Sequence, residues 1–271
     1  MNERPDLKSD GFTYVAGRHV PGIERLVELS EEHQLALEVD SVKLVKQLTG
    51  VTSAFVYGAT FRDHSQTSWA SRGPVAVIHS DMSPAGATYM KNSAQNLFLK
   101  STDPSEVGFG KYLETGQDVI MLNVWRPIHA VEDNHLGICK WGSLLEEDAL
   151  KSNIIPTHVG NTLQPWKYRE GQEWYYLKNQ QPHEVYVFLQ HDDRAKEDGH
   201  GINVPHASFK LQGHDKPSTR VSFEAKIIAL IDPSPPEGRI SRLSNHMTAF
   251  ANRFSWDELE LLELHGRPGS P

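Results

Sequence analysis

Two histidine–aspartate pairs with one residue between them stand out, His79-Ser-Asp81 and His191-Asp-Asp193. On an extended strand, residues two apart point to the same face, which is what two cis ligands of one metal ion require. His79 closes the apolar run Pro74-Val-Ala-Val-Ile78, so a strand there delivers His79 and Asp81 together. His191 instead opens His191-Asp-Asp-Arg-Ala-Lys-Glu-Asp-Gly-His200, which reads as a solvated polar loop. A third ligand must come from a distant strand. His206, in Val204-Pro-His-Ala-Ser208, sits among small and apolar residues 127 positions after His79. From His191 the same residue is only 15 positions on, too few for the intervening strands of a jelly roll. Two histidines and one carboxylate leave three positions of an octahedral Fe(II) open, the arrangement that non-haem iron oxygenases use.

Those positions need occupants. A 2-oxoacid chelates iron through its keto acid end and needs a cation for its far carboxylate. Arg220-Val-Ser222 follows His206 by 14 residues. Its guanidinium suits a carboxylate, and the hydroxyl two residues on shares its face. Met82 and Tyr89, which lead from the first two ligands into a helix, are expected to border the substrate side, with Trp174 and Tyr176 on a facing strand. The chain holds 14 histidines, most of them expected to be surface or hydrogen-bonded residues. A Gly-x-Ser-x-Gly elbow is absent, and a Ser/His/Asp triad stays open.

The elements that must hold these residues are short strands between long loops. Thr52–Tyr57, Val75–His79, Val119–Trp125, Trp174–Leu177, Glu184–Leu189 and Val221–Ile231 read as strands from their β-branched and apolar content. Val42–Leu48, stopped by Gly50, reads as a helix. A second begins at Pro84 with Ala87, Met90, Ala94 and Leu97 as its apolar face. A third opens at the capping box Ser255-Trp-Asp-Glu258 and runs to about His265, with Gly266 as its stop. The first 20 or so residues and Arg267–Pro271 read as poorly ordered. There is no βαβ alternation and no Gly-rich phosphate loop, which weighs against a Rossmann or P-loop enzyme. The fold expected is mainly β with flanking helices: a double-stranded β-helix, or cupin-like jelly roll, in a single domain over 1–271 with its core at about 50–232.

Composition narrows the function classes. With 27 Lys+Arg against 35 Asp+Glu, the net charge of −8 gives no general basic surface for nucleic acid or anionic lipid. Cys139 is the sole cysteine, which excludes an intrachain disulfide and a Cys-rich metal site. No stretch approaches the roughly 20 apolar residues of a membrane span, and the start carries no signal-peptide core. A soluble, cytoplasmic protein with a small-molecule substrate is expected, with no nucleic-acid or membrane partner; a homodimer stays open.

Asn123-Val-Trp-Arg-Pro127, Trp174-Tyr-Tyr176, Pro182-His-Glu-Val-Tyr-Val-Phe188, Pro205-His-Ala-Ser-Phe209 and Arg220-Val-Ser-Phe-Glu224 follow one another in one register. From about Leu48 to Leu230 the chain resembles the fungal hydroxylase/desaturase family typified by the aspergillic-acid oxygenase, which includes gibberellin-desaturase-like and cephamycin-hydroxylase-like proteins. The resemblance implies a double-stranded β-helix that uses Fe(II), 2-oxoglutarate and O2 in secondary metabolism. It assigns His79, Asp81 and His206 as iron ligands and Arg220 as the cosubstrate anchor. The family usually reads Arg-Glu-Ser-Ile-Glu-Val-Arg, and Val221, Phe223, Ala225 and Lys226 depart from it; Leu189 stands where the family often has Lys. Asn123 is taken with the cosubstrate contacts. Arg126 either pairs with an internal carboxylate or reaches the cosubstrate or substrate. Trp125, Trp174 and Tyr176 are either core or the wall of an apolar substrate cavity. The activity expected is hydroxylation, desaturation or a related C–H oxidation of a small, largely apolar metabolite. Two alternatives remain: a cupin-like metal isomerase or ring-cleaving dioxygenase that needs no 2-oxoglutarate, and a non-catalytic jelly-roll binding module.

Overall fold

The structure is a computed structural model that describes residues 4–23, 26, 30–63, 75–151, 154–195, 199–213 and 219–231. They fall in one compact unit, Met1–Asp232. The expected helix at Ser255–His265 and the tail Arg267–Pro271 lie outside the described residues.

Among the described residues, ten strands run β1 Phe12–Val15, β2 Ala54–Asp63, β3 His79–Ser80, β4 Val119–Pro127, β5 His135–Cys139, β6 Gln164–Pro165, β7 Trp174–Tyr175, β8 Val185–Asp192, β9 His206–Phe209 and β10 Val221–Leu230. The same residues include the α-helices α1 Glu31–Thr49, α2 Pro84–Leu99 and α3 Pro104–Glu114. The strands form two five-stranded sheets, β1-β8-β4-β10-β2 and β6-β3-β9-β5-β7, with every pairing antiparallel. Trp125 and Phe188 of the first sheet and Leu136 and His206 of the second line one cavity, so the sheets face each other as a double-stranded β-helix.

Alternation along β10 explains how the first sheet serves two surroundings. Val221, Phe223, Ala225 and Ile227 join the cluster that contains Leu37, Leu44 and Val45 of α1, so that helix covers one face. On the other parity, Ile228 and Leu230 pack with Met90 and Phe98 of α2 and Phe109 of α3, which close one end of the roll. The polar residues Ser222, Glu224 and Lys226 share this inner face and stand nearer the strand's start.

Several elements differ from the sequence expectation, each for a local reason. Helix α1 begins eleven residues before Val42, because Ser30 accepts from the His33 amide and Glu31 and Glu32 sit in the positive first turn; it ends at Gly50, φ +76°, as expected. The buried face of α2 is Ala87, Met90, Ala94 and Phe98; Leu97 is 52% exposed, since four residues on from Ala94 falls closer to the helical period than three. The N-terminal region is ordered from Phe12, whose fully buried ring and pairing with Phe188 tie β1 to β8. Helix α3 was missed, though Asp103 caps it and Pro104 starts it. Strand β5 was missed too, its apolar residues being few and interrupted by Gly137. Conversely, only His79 of the Val75–His79 run is in a strand. Among the described residues no helix is long and apolar enough to cross a membrane.

Candidate metal centre

His79 opens β3, His206 opens β9, and the two are Cα partners across the ladder. Asp81 follows β3 directly. One ligand atom from each of the three lies within 4.8 Å of the other two, and all three residues are buried. The Nε2 atoms of His79 and His206 are 3.8 and 3.9 Å from the same oxygen, Asp81 Oδ1. These separations exceed a hydrogen bond, so three donor atoms surround a point rather than satisfying one another. Each Nδ1 meets a carbonyl two residues upstream, Val77 O at 2.7 Å and Val204 O at 3.2 Å. That partner holds the proton on Nδ1 and turns the Nε2 lone pair toward Asp81. Burial, with His79 alongside, pushes His206 down to about 3, so its ring is neutral at neutral pH. Two imidazole nitrogens and one carboxylate oxygen on one side of a buried point fit Fe(II).

Asp81 is held from every side. Its amide donates to Gln190 Oε1 at 2.6 Å and its carbonyl accepts from Thr162 Oγ1 at 2.8 Å. Gln190 is the extra residue where the β4–β8 register shifts between Met121/His191 and Leu122/Leu189, a bulge that re-aims its side chain. Oδ2 accepts from Asn123 Nδ2 at 2.6 Å and from Lys226 Nζ. Burial alone raises the Asp81 carboxyl, but Lys226, His206 and His79 outweigh it and hold the group below the usual carboxylate range. Glu224, which also accepts from Asn123, is pushed up by burial.

Beside the triad, the cavity wall carries two guanidinium groups, Arg220 and Arg62, and an apolar side of Trp125, Leu136, Phe188 and Val75. Arg220 donates to Ser208 Oγ at 2.8 Å and to the Asn134 carbonyl, and lies 5.4 Å over the Trp125 ring. Burial lowers it to about 10, which still leaves it a cation. Ser222 Oγ is buried and has no hydrogen-bond partner among the described residues, an orphaned donor on the same face of β10 as Glu224. Arg62 of β2 is the register partner of Ser222.

Several expected site residues stand elsewhere. Asn123 donates through Nδ2 to Asp81 and Glu224. Arg126 is buried on the opposite face of the first sheet, donating to Asp40 of α1, so of the two readings the internal ion pair is the one observed. Met82 is packed into the cluster under α2, and the Tyr89 hydroxyl donates to Thr157 O at 3.1 Å; neither lines the cavity at the triad. Trp174 and Tyr176 line a separate groove with Ala207 and Phe209, which alternate with His206 on β9 and face away from the triad, and with Gly137, the register partner of Ala207. The second His-x-Asp pair is not a solvated loop either. His191 is 2% exposed, bonded through Nε2 to Asp193 at 2.7 Å and through Nδ1 to His200 at 2.9 Å, and Lys91 closes on Asp193 at 2.6 Å.

The residues that sequence reasoning passed over are Glu224, Lys226, Arg62 and Gln190. For the first two a signal existed: Arg220, Ser222, Glu224 and Lys226 are polar at every second position between Val221, Phe223, Ala225 and Ile227, a strand with one hydrophilic face. Nothing local marks Gln190, because a bulge is created by the pairing of two strands.

A family described as "Oxidoreductase/YMDC permease-like domain" matches residues 2–230. Among curated proteins, the chain is 28% identical to "Gibberellin cluster GA4 desaturase" of Gibberella fujikuroi over 172 residues, 58% of this chain and 50% of that protein. It is 22% identical to "Alpha-ketoglutarate-dependent dioxygenase phiK" of a fungal species over 239 residues, 83% of this chain and 79% of the other. The chain thus spans about half the length of the desaturase it matches. Among solved structures, "iron and alpha-ketoglutarate-dependent endoperoxidase NvfI" superposes with a TM-score of 0.61 at 21% identity, covering 84% of this chain and 82% of that one, which shows the shared fold.

Proposed function

This chain belongs to the Oxidoreductase/YMDC permease-like domain family, and from that premise we propose that it is an Fe(II)/2-oxoglutarate-dependent oxygenase acting on a small, largely apolar metabolite. One observation carries the reading: two histidines, each with Nδ1 on a backbone carbonyl, and one aspartate converge, buried, with their donor atoms within 4.8 Å. His79 Nε2, His206 Nε2 and Asp81 Oδ1 would hold the iron. Iron in that position would supply oxygen activation, coupled to oxidative decarboxylation of 2-oxoglutarate (alpha-ketoglutarate) to succinate and CO2 and to oxidation of a substrate C–H bond.

The chain's own part is positioning. Arg220 and the orphaned Ser222 hydroxyl receive the far carboxylate of 2-oxoglutarate, a buried cation and a donor that have the charge and chemistry for it. Trp125, Leu136 and Phe188 exclude water and present an apolar wall to the substrate, which supports a hydrophobic metabolite over a peptide. Where the substrate's C–H bonds lie against that wall selects hydroxylation, desaturation or a related outcome. All of these groups fall in one jelly-roll domain of about 50–232. The names of the curated relatives, a gibberellin-cluster desaturase and a dioxygenase of fungi, support a place in secondary metabolism.

The test is anaerobic loading of purified protein with Fe(II), then addition of 2-oxoglutarate and oxygen. Stoichiometric iron and oxygen-dependent succinate formation are expected in the wild type, and both are lost in His79→Ala and His206→Ala. Wild-type protein that retains no iron, or variants that retain it fully, overturn the reading.

A further inference from the structure

The two oxygens of Asp81 are treated differently. Oδ1 is the atom 3.8 and 3.9 Å from the two histidine Nε2 atoms, whereas Oδ2 accepts from Asn123 Nδ2 and Lys226 Nζ. The clamp comes from the other sheet: Asp81 follows β3, while Asn123 lies on β4 and Lys226 on β10. We propose that Lys226, with Asn123, is a positioning residue for the metal: by occupying Oδ2 it leaves Oδ1 as a single-oxygen ligand aimed between His79 and His206. This rests on the reading of the triad as a metal site.

Lys226 and Asn123 together satisfy one carboxylate oxygen with two donors, which removes the free rotation a terminal carboxylate otherwise has about its last bond. Lysine is a compact point donor, so it engages one oxygen where a planar fork engages two. The ammonium also stands beside a point that must accept a cation. By Coulomb's law alone, Lys226 repels a divalent ion, and removing it should tighten metal binding. If Lys226 instead orients the ligand, removing it weakens binding. The sign of the change separates the two roles, since a residue that only offsets the buried charge of Asp81 has no orientation to lose.

The measurement uses full-length, metal-free protein and Co(II), whose visible absorption reports its ligand set. Wild type is expected to bind one Co(II). In Lys226→Met the dissociation constant should rise at least tenfold, with altered absorption bands, while far-ultraviolet circular dichroism stays that of the wild type. Lys226→Gln keeps an amide donor and should bind more weakly by about threefold or more; Lys226→Arg keeps the charge, but its fork engages both oxygens, so it too should bind at least about threefold more weakly, with altered bands. If the Met variant does not fold, the Gln variant reads the same quantity. A folded Met or Gln variant that binds Co(II) as tightly as the wild type, or more tightly, with unchanged bands overturns the assignment. Wild-type protein that binds no Co(II) would overturn the metal site itself, a separate failure.

Discussion

Arg220 has a cavity role that can be separated from the metal. Its guanidinium is buried, stacked on Trp125 and anchored by Ser208 and the Asn134 carbonyl, so its head is preorganised for a planar anion. Arg220→Lys keeps the charge and loses the fork. The apparent KM for 2-oxoglutarate should rise about tenfold, a loss of about 1.4 kcal/mol, and further in Arg220→Ala, with iron content unchanged in both. Steady-state succinate formation and metal analysis on the same preparations check this. An unchanged KM would pass the role to Arg62, the second guanidinium in the cavity wall and the register partner of Ser222.

At the scale of elements, two contacts decide how the ligand-bearing loop is held. Gly86 lets the first turn of α2 lie against Thr162: a Cβ there would meet the Thr162 carbonyl oxygen at 2.2 Å. Thr162 in turn accepts from the Ser83 amide and donates to the Asp81 carbonyl. Gly86→Ala should therefore destabilise the protein by about 1–3 kcal/mol, the usual range for overpacking, and loosen metal binding through Asp81. Thermal melts of metal-free and Co(II)-loaded protein report both effects. Asp193 is the other contact, joining Lys91 of α2, His191 of β8 and the Val119 amide of β4. Burial raises its carboxyl, but the bonds from His191, Lys91 and Val119 prevail and bring it down to about 2. Its folded-state value lies below the unfolded one, so its stabilisation is present above about pH 4 and is lost as pH falls toward 2. Asp193→Ala should cost about 1–3 kcal/mol at neutral pH, and the difference between variant and wild type should shrink on acidification, read by urea unfolding at several pH values.

For the molecule as a whole, the metal centre is where the two sheets are tied. His79 and His206 stand on the second sheet, and Asn123, Gln190 and Lys226 reach Asp81 from the first. An ion bound there binds the folded chain and has no comparable site once the sheets separate, so it stabilises by mass action. At a free metal concentration about 100 times the dissociation constant the gain is about 2.7 kcal/mol. That should raise Tm by roughly 5–10 °C at 2–4 °C per kcal/mol. Chelation should return Tm to the metal-free value, and His206→Ala should show no metal-dependent shift. A wild-type Tm indifferent to Fe(II) or Co(II) would contradict a site that spans both sheets.

Relations between residues two apart on a strand were legible in the chain, because the period of a strand is local and needs no partner. That is why His79 with Asp81 and Arg220 with Ser222 were readable as pairs, and why the alternation of β10 already carried Glu224 and Lys226. Apolar context and separation from His206 also sufficed to choose His79-x-Asp81 over His191-x-Asp193 as the first pair of the site. What the chain alone left open was which face of each strand looks inward, because that parity is set by pairing and by the element packed on the other side. Arg126 went to Asp40 because α1 covers its face, and Trp174 and Tyr176 went outward because Tyr175 between them pairs with Ile138, the register partner of His206. Gln190 reached Asp81 through a bulge that exists only once β4 and β8 are in register. The clamp on Asp81 was equally hidden: Asn123 and Lys226 are 42 and 145 residues from it, and only the closure of one sheet over the other brings an amide and an ammonium to the same oxygen.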